Sequence, residues 1–534
     1  MKSFKLIFFC ALLTPALAQK NYFSSVIFPD TIRSIEKDSA FEYSKYIQAD
    51  KLKEIIEYLA SDSCEGRELG SKGNERASNF IAGLLNQYNV QKIGDSNSYF
   101  QELGFKWIYW DKLSFKINGV NYKQLWDYLI IPDQNDDLEM NTSEVLFLGY
   151  GIDDPKYNDY KNLDVKNKAI LIYKGEPKNK KGEYLLSSNL KPSPWSSDLQ
   201  LKIRTAKKHG AKIVLVIEDK FKEFVDSNRS SVVSPSVIMD KNSNDFRIGI
   251  NTMHLSSTTV SMLLGKSIKK VIKARDKINR TGKSNSFIIK TNLEFIQKRN
   301  VRSEKGRNIL AYIEGTDKKN ELIIVSAHYD HIGKRGNDVY NGADDNASGT
   351  SAVIEIAHTL QKLKEAGKGS RRSVLCMLVT GEEKGLLGSM YYVNHPTFPL
   401  SSTMVDINVD MIGRTDPKYL KDSNYVYVIG SDRLSLDLHK INVDVNQKYS
   451  QLKLDHTYNS ETDANRFYYR SDHYNFAEKG IPAIFFFSGV HEDYHRITDD
   501  ASKILFGKTE KIARHIFLLT WSLANIEFKL SPNP

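Results

Sequence analysis

Cysteine is scarce in this chain of 534 residues, which contains three. One of them, Cys10, lies in an apolar run at the N-terminus, so only Cys64 and Cys376 remain for the rest of the chain. Two cysteines make a disulfide framework improbable and cannot supply a thiolate zinc site. The fold must therefore rest on its hydrophobic cores, and Cys376 in the apolar run SVLCMLVT is expected to be a buried small hydrophobe.

Long apolar runs are also missing after the first 20 residues, so no membrane span is predicted there. The first residues, MKSFKLIFFCALLTPALAQ, have a positive start, a short apolar core and a small-x-small site at Ala16–Ala18. This pattern predicts a signal peptide over residues 1–18, cut after Ala18, and a secreted or periplasmic protein. An uncleaved anchor is the alternative, but the apolar run is short for one.

Charge of one sign is not clustered either, although the formal net charge is +10. Lysine and arginine alternate with 65 acidic residues, and no nucleic-acid-binding motif is present. We therefore expect a solvated surface and no nucleic-acid partner. The length is too great for one ordinary core and indicates two or more domains.

The order of apolar patterns along the chain predicts how these domains are arranged. Residues 50–61 and 74–88 have helical spacing, and short strand candidates separated by turns begin near residue 115. From Asn308 onward, apolar runs rich in Val, Ile and Phe alternate with helical segments, among them 348–363, which Ser348 could cap and Gly367 follows. The predicted fold class is α/β, with a mostly parallel central sheet flanked by helices and an inserted β-rich domain.

The predicted domain boundaries follow from this arrangement. They are a signal peptide (1–18), an N-terminal segment of the catalytic domain (19–114), an inserted domain (115–290, hereafter the inserted region), the catalytic domain proper (291–528) and a tail (529–534).

Five short segments in the C-terminal half end apolar runs with metal-ligand side chains. They read HYDHIG, NGADDNASG, GEEKGLLGS, NVDMIGR and DYHRITDD. Their candidate ligands are His328, Asp345, Glu383, Asp410 and His495. Parallel sheets bind ligands beyond the carboxyl ends of their strands, which is where these segments fall.

Imidazole and carboxylate groups are ligands that zinc accepts, and a zinc pair needs a bridging carboxylate with terminal ligands on each side. One bridging Asp, two His and two further carboxylates meet this requirement. Taken singly, each residue has a structural reading: a histidine at a strand end is more often a hydrogen-bonding residue, and Glu382-Glu383 could be an exposed first helical turn. The conjunction of all five favours a site for two Zn²⁺ per chain.

These motifs resemble those of the di-zinc exopeptidases that include bacterial leucyl aminopeptidases, glutamate carboxypeptidase II and, more distantly, glutaminyl cyclases (peptidase clan MH). The segment EGRELGSKGNERA (65–77) is similar to the N-terminal signature of that family. The resemblance implies that Asp345 bridges both metals. It also implies that His328 and Asp410 complete one zinc shell, and that Glu383 and His495 complete the other.

The resemblance also implies roles for residues beside the ligands. Glu382 would be the general base that activates a metal-bridging water, and Asp330 would orient the His328 imidazole. A cis peptide bond is expected at Asp345–Asn346. In RSDHYNF, Asp472 and His473 are candidates to contact substrate or the oxyanion, or else structural residues. The family's YHTP pattern departs here to Tyr494-His495-Arg496-Ile497, so His491 is an alternative ligand to His495.

The inserted region is similar to a protease-associated (PA) domain in the segment LFLGYGIDDPKYNDYKNLDVKNKAILIYKGEP. The implied function is a zinc-dependent aminopeptidase acting on peptides with a free N-terminus. The alternatives are a carboxypeptidase of the glutamate carboxypeptidase type, a non-catalytic binding protein of this fold, and a glutaminyl cyclase. The sequence leaves open the preferred first residue, the oligomeric state and whether residues 19–45 form a pro-segment.

Overall fold

The computed structural model describes residues 37–161, 163–240 and 250–533. The predicted signal peptide lies outside these residues. Among the described residues, no helix has both the length and the apolar composition needed to cross a membrane. Cys64 and Cys376 are free and buried, which confirms the expectation for Cys376.

The helices of the described residues are amphipathic or buried segments that cover the two faces of a sheet. They are α1 (Lys37–Ser44), α2 (Ala49–Leu59), α3 (Lys72–Gln87), α4 (Pro194–Ser197), α5 (Leu199–Lys208), α6 (Phe221–Asn228), α7 (Ser230–Val233), α8 (Ser257–Leu264), α9 (Ile268–Thr281), α10 (Gly349–Glu365), α11 (Leu387–Asn394), α12 (Leu436–Val445), α13 (His473–Glu478) and α14 (Phe506–Asn525).

The strands are rich in aromatic and β-branched residues, as strand propensity requires. They are β1 (Gln91–Lys92), β2 (Phe100–Ile117), β3 (Val120–Tyr122), β4 (Tyr128–Leu129), β5 (Leu138–Phe147), β6 (Asp153–Asp154), β7 (Tyr157–Asn158), β8 (Ala169–Tyr173), β9 (Ile213–Ile217), β10 (Ser236–Met239), β11 (Asn251–Leu255), β12 (Phe287–Ile313), β13 (Lys318–His328), β14 (Lys334–Arg335), β15 (Asp338–Val339), β16 (Arg372–Val379), β17 (Thr403–Val409), β18 (Tyr425–Ile429), β19 (Lys453–Asp455) and β20 (Ala483–Phe487).

The main sheet runs in the order β19-β18-β20-β17-β13-β16-β12-β5-β8-β9-β11-β4. At its centre, β16, β13, β17 and β20 are parallel to one another, and β12 and β18 pair antiparallel on either side. Helices α10 and α14 pack against this centre. The predicted fold class, a mostly parallel sheet flanked by helices, is confirmed.

Two strands run from one part of the molecule to the other. β2 and β12 pair antiparallel along their lengths, from Ile309↔Phe100 to Leu293↔Ile117. One core lies around α10 and the central strands, and a separate core is built from Phe115 to Phe295. The predicted boundaries at 114/115 and 290/291 therefore fall inside two continuous strands.

The inserted region contains the predicted strands β5, β8, β9 and β10, and also helices such as α9. Helix α5 is capped at its N-terminus by the Asp198 side chain, which accepts a hydrogen bond from the Gln200 N–H. In the inserted region, strands β5, β8, β9 and β11 are parallel and extend the main sheet beyond β12. The identification of this region with a PA domain stays a prediction.

Candidate metal centre

The central strands bring the predicted ligands to one edge of the sheet. His328 is the last residue of β13, Asp410 follows β17, and Glu382 and Glu383 begin a 3-10 turn just after β16. These strands are parallel neighbours, so their carboxyl ends coincide. Buried, apolar strands thus deliver polar side chains to a common point without placing them inside the sheet.

The other two predicted ligands come from loops at the same edge. Asp345 lies in a π-helical turn, Ala343–Ser348, that leads into α10, and His495 lies in the loop after β20. The Asp345–Asn346 peptide bond is cis, which confirms that prediction. His495 has a positive φ of 56° and a side chain that is 36% exposed, whereas His328 is buried.

The Asp345 carboxylate lies between the two predicted histidines. Its Oδ1 is 3.4 Å from His328 Nε2, and its Oδ2 is 3.1 Å from His495 Nε2. Asp410 Oδ1 lies 3.3 Å from His328 Nε2, and Glu383 Oε2 lies 3.2 Å from His495 Nε2. The five predicted ligands therefore form two groups that share Asp345, with one carboxylate oxygen turned to each group.

Glu382 belongs to the group around His328. Its Oε2 is 4.0 Å from His328 Nε2, and one donor or acceptor atom from each of His328, Glu382 and Asp410 lies within 4.8 Å of the others. Its backbone N–H donates to Asp330 Oδ1. Glu382 is thus held at the centre without the two imidazole contacts that Glu383 makes.

A third histidine, which the sequence reasoning missed, lies in the group around His495. His331 Nδ1 is 2.8 Å from Glu383 Oε1 and 3.7 Å from Asp345 Oδ2. The signal was present, since His331 is the second histidine of HYDHIG. The pattern did not single it out because His331 lies three residues beyond the end of β13, in a loop whose course the sequence does not predict.

The electrostatics of the centre follow from carboxylates that outnumber histidines in a buried space. Burial acts against protonation of His328, yet the Asp410 and Glu382 carboxylates raise its imidazole pKa well above the ordinary value. Burial likewise opposes the charged form of His495, while Asp345 and Glu383 raise its pKa to about 10. An excess of negative charge of this kind is suited to binding cations.

Adjacent Glu382 and Glu383 respond in opposite directions. Burial, reinforced by repulsion from Glu383 and Asp410, raises the pKa of Glu382 well above its ordinary value. Burial would do the same to Glu383, but the neighbouring imidazoles of His331 and His495 hold its pKa well below the ordinary value. Two neighbouring carboxylates with such different surroundings are fitted to different tasks.

Buried backbone contacts fix the loops that carry these side chains. The fully buried Arg67, from the segment EGRELG, donates to the carbonyl oxygens of Tyr329, Asn341 and Gly342. The Asp499 carboxylate accepts the backbone N–H groups of Asp344 and Asp345. The loop before α10 is therefore held from two sides, close to Asp345.

The predicted helix cap at Ser348 is wrong. Ser348 has helical backbone angles, and its hydroxyl donates to the Asp344 carbonyl instead of capping α10. The Asn346 side chain accepts the Gly349 N–H. A π-helical turn precedes α10, so the residue that satisfies the first helical N–H lies two positions earlier than the pattern predicts.

Asp330 lies where the prediction put it, but it holds His328 differently. The His328 Nδ1 atom is 3.2 Å from the Asp330 carbonyl oxygen and 3.8 Å from its carboxylate Oδ1. Burial raises the pKa of the Asp330 carboxyl to about 6. The main chain of Asp330 therefore orients the imidazole, and its carboxylate accepts the Glu382 N–H.

Asp472 and His473 do not reach the pocket beside the ligands. Both are fully buried at the start of α13, where Asp472 accepts a hydrogen bond from Ser389 and His473 stacks on Phe485. Burial lowers the pKa of His473 to about 3. Neither side chain lines the pocket at the ligands, and the candidacy of these two residues for contact with substrate or the oxyanion stays a prediction.

His491, the alternative to His495, faces away from both ligand groups. Its Nε2 lies 3.3 Å from Asp344 Oδ2, and its Nδ1 accepts the Asp493 N–H. Of the two histidines, only His495 is placed against Asp345 and Glu383.

An aromatic pocket adjoins the ligand groups. Its lining includes Asp345, Glu382 and Asp410 on one side and, on the others, Met411, Phe467, Arg470, Phe485, Phe487, Val490 and Tyr494. The Tyr494 ring stacks on His495 at a centroid distance of 3.9 Å. The pocket thus combines charged groups that could hold metal with an apolar wall that could receive a side chain.

The donor set fits zinc. Nitrogen and oxygen ligands bonded to zinc at 2.0–2.2 Å lie about 3.3 Å from one another in a tetrahedral site. The contacts of His328 and His495 with the carboxylates of the predicted ligands fall at 3.1–3.4 Å. Buried atoms that lack hydrogen-bond partners among the described residues include Glu383 Oε1 and both ring nitrogens of His331. A cation at this position would satisfy Glu383 Oε1 and one ring nitrogen of His331.

Comparisons with known proteins place this centre in context. Residues 308–520 match the family model described as Peptidase family M28. Aminopeptidase YwaD of Bacillus subtilis (strain 168) is 34% identical over 133 residues, which cover 22% of this chain and 27% of that protein. Leupeptin-inactivating enzyme 1 of Streptomyces exfoliatus is 30% identical over 199 residues, which cover 37% of this chain and 39% of that protein.

The chain thus spans well under half the length of these two relatives. Among solved structures, an aminopeptidase from Aneurinibacillus sp. strain AM-1 superposes with a TM-score of 0.53 at 17% identity, covering 93% of this chain and 98% of that one. At this identity the match is evidence for the fold alone.

Proposed function

Because residues 308–520 match the model of peptidase family M28, we propose that this protein is a zinc-dependent aminopeptidase that removes the first residue of peptides. The observation that carries the proposal is the position of Asp345. Each of its carboxylate oxygens is turned to a different group, one at 3.4 Å from His328 and the other at 3.1 Å from His495. A carboxylate shared in this way is the requirement of a two-metal site.

The residues that would hold two zinc ions are the two groups described above, with Asp345 in both. A zinc pair supplies electrophilic polarisation of a scissile carbonyl and makes an attacking water more acidic. Without such cations, the carboxylates clustered here would be costly to keep ionised in a buried space. The name of one relative, Aminopeptidase YwaD of Bacillus subtilis, agrees with this reaction.

Glu382 is the residue we assign as general base. It lies in the pocket wall beside Asp345 and Asp410, and it makes no close imidazole contact that would hold it in the charged form. It takes a proton from the water that attacks the carbonyl carbon. When the carbon–nitrogen bond breaks, it returns that proton to the leaving amine, so the base is regenerated.

The substrate class follows from the pocket. The wall formed by Met411, Phe467, Phe485 and Phe487 suits an apolar side chain of the first residue, since burying such a side chain is favourable. The carboxylates opposite, Glu382 and Asp410, suit the positive charge of a free N-terminus. We therefore propose that peptides with a bulky apolar first residue are preferred.

The test uses zinc-loaded protein and pairs of peptides that have the same sequence and either a free or an acetylated N-terminus. Mass spectrometry of the products over time should find stepwise loss of residues from the free N-terminus only. Faster cleavage after a leading Leu or Phe than after a leading Asp is expected. Cleavage of the acetylated peptide alone, or loss of residues from the C-terminus, would overturn the aminopeptidase assignment and favour a carboxypeptidase.

A further inference from the structure

His331 is a fully buried histidine whose two ring nitrogens make no hydrogen bonds to the described residues. Neither ring nitrogen has a hydrogen-bond partner among the described residues, although buried polar groups almost always have one. His515 is equally buried, and its two ring nitrogens contact Ser450 Oγ at 3.0 Å and Asn442 Oδ1 at 2.9 Å. The ring nitrogens of His473 also lack such partners, so His331 is set apart by the metal-ligand atoms that surround its ring.

The His331 ring is surrounded by side chains that are predicted to bind metal. Nδ1 is 2.8 Å from Glu383 Oε1 and 3.7 Å from Asp345 Oδ2. One atom from each of His331, Asp345, Glu383 and His495 lies within 4.8 Å of the other three. Glu383 Oε1 is itself without a hydrogen bond despite the short contact, so the two atoms are close but not directed at one another. Two ligand atoms that both point at a metal ion lying between them have this arrangement.

We propose that His331 is a direct metal ligand, in addition to Asp345, Glu383 and His495. The inference rests on the proposed function, since it concerns the same centre. It makes the two groups unequal: one offers four protein ligands, whereas the other offers His328, Asp345 and Asp410. Zinc is commonly satisfied by four ligands and leaves a position open when it has three from the protein.

The unequal groups have a consequence for binding. The metal with four protein ligands is the one retained at low free zinc, and the metal beside His328 is the one lost first. Glu382 lies beside the second group, the one that offers three protein ligands. The protein thus separates a firmly held ion from an exchangeable one that faces the base.

The decisive experiment is a crystal structure of the zinc-loaded full chain with data collected at the zinc absorption edge. A zinc–Nδ1 distance for His331 of about 2.0–2.1 Å supports the proposal. Zinc bound by Asp345, Glu383 and His495, with His331 more than about 3 Å away, overturns it and leaves the proposed function intact. Crystals with no zinc at either group would instead contradict the proposed function.

Zinc affinity provides the second measurement, by competition with a chelator of known affinity. His331→Asn should weaken the tighter of two binding events by about 100-fold or more, at or above the range for a residue that only orients a ligand, and change the weaker event little. His395→Asn, on an exposed histidine that belongs to neither ligand group, is the matched control and should leave both events unchanged. Equal affinities in His331→Asn and the wild type would overturn the proposal, provided that circular dichroism spectra show both to be folded.

Discussion

At the residue scale, the main contrast is between Glu382 and Glu383, which are adjacent in the chain but face different partners. Glu383 contacts His331 at 2.8 Å and His495 at 3.2 Å, whereas the closest imidazole contact of Glu382 is 4.0 Å, to His328. The 3-10 turn Glu382–Lys384 produces this difference by sending successive side chains to different sides. The Glu383 carboxylate is in close contact with two imidazoles, whereas the Glu382 carboxylate remains available to exchange a proton.

This contrast predicts separate effects for two matched substitutions. Glu382→Gln should lower kcat by about 10²- to 10⁴-fold, because the amide cannot accept the proton. Its zinc content, measured by mass spectrometry of the metal after dialysis, should equal that of the wild type. Glu383→Gln should lose zinc as well as activity. Zinc loss in Glu382→Gln with retention in Glu383→Gln would mean that the base and the ligand have been assigned the wrong way round.

At the element scale, the strands of the catalytic part could be predicted closely and the loops could not. The runs before His328 and Asp410 are continuously apolar, and burial on both faces of a parallel sheet leaves few alternatives for them. The position of His331 depends on how the loop after β13 is pinned by Arg67, which donates to the Tyr329 carbonyl. Such a contact joins residues 262 positions apart, and no local pattern encodes it.

The turn between Ala343 and Ser348 is another element that the sequence alone did not predict. The helical pattern pointed to Ser348 as a cap, but Asn346 fills this role and also accepts the Met411 N–H and donates to the Val409 carbonyl. One amide side chain therefore ties the start of α10 to the end of β17. This link fixes the position of Asp345 relative to Asp410.

Asn346→Ala should consequently destabilise the protein and disturb the metal centre. The substitution leaves buried donors and acceptors unpaired, each at a cost of about 1–3 kcal/mol. The free energy of unfolding in urea should fall by about 3 kcal/mol or more. Asn394→Ala, on an exposed asparagine that bonds to its own helix, is the control and should change stability by less than about 0.5 kcal/mol. Similar stability of the two variants would contradict this role for Asn346.

At the scale of the whole molecule, the sequence predicted two bodies but not how they are joined. The pattern of short strand candidates and the resemblance to a PA domain predicted an inserted region at 115–290, and a separate apolar core contains residues from Phe115 to Phe295. The joint itself is the β2–β12 pair. Each of these strands runs without a break from one core to the other, so neither belongs to one domain alone. Periodicity gives the strands, and their length emerges only once the two are paired.

Among the described residues, the contacts across this joint include the pairing of β10 with residues 105–108 of β2. A small apolar cluster contains Met239 from the inserted region together with Trp107 and Leu387, and the pair of strands carries exposed residues such as Tyr109 and Val301 nearby. The catalytic part has its own large core around α10 and α14. The catalytic part should therefore fold without the inserted region.

Replacing residues 110–299 by an Asn-Gly turn tests this independence. Tyr109 and Asn300 are partners in the β2–β12 register, so a two-residue turn can close them into a hairpin. The shortened protein should unfold cooperatively and bind zinc with the stoichiometry of the full chain. It should be less stable than the full chain, because the pairing of β10 with β2 and the contacts of Met239 are both lost. Met239→Ala in the full chain measures the second loss separately, and its expected cost is about 2–5 kcal/mol. A shortened protein that gives no cooperative transition, while Met239→Ala remains stable, would contradict independent folding and would mean that the inserted region, with β10 as its paired strand, is an integral part of the fold.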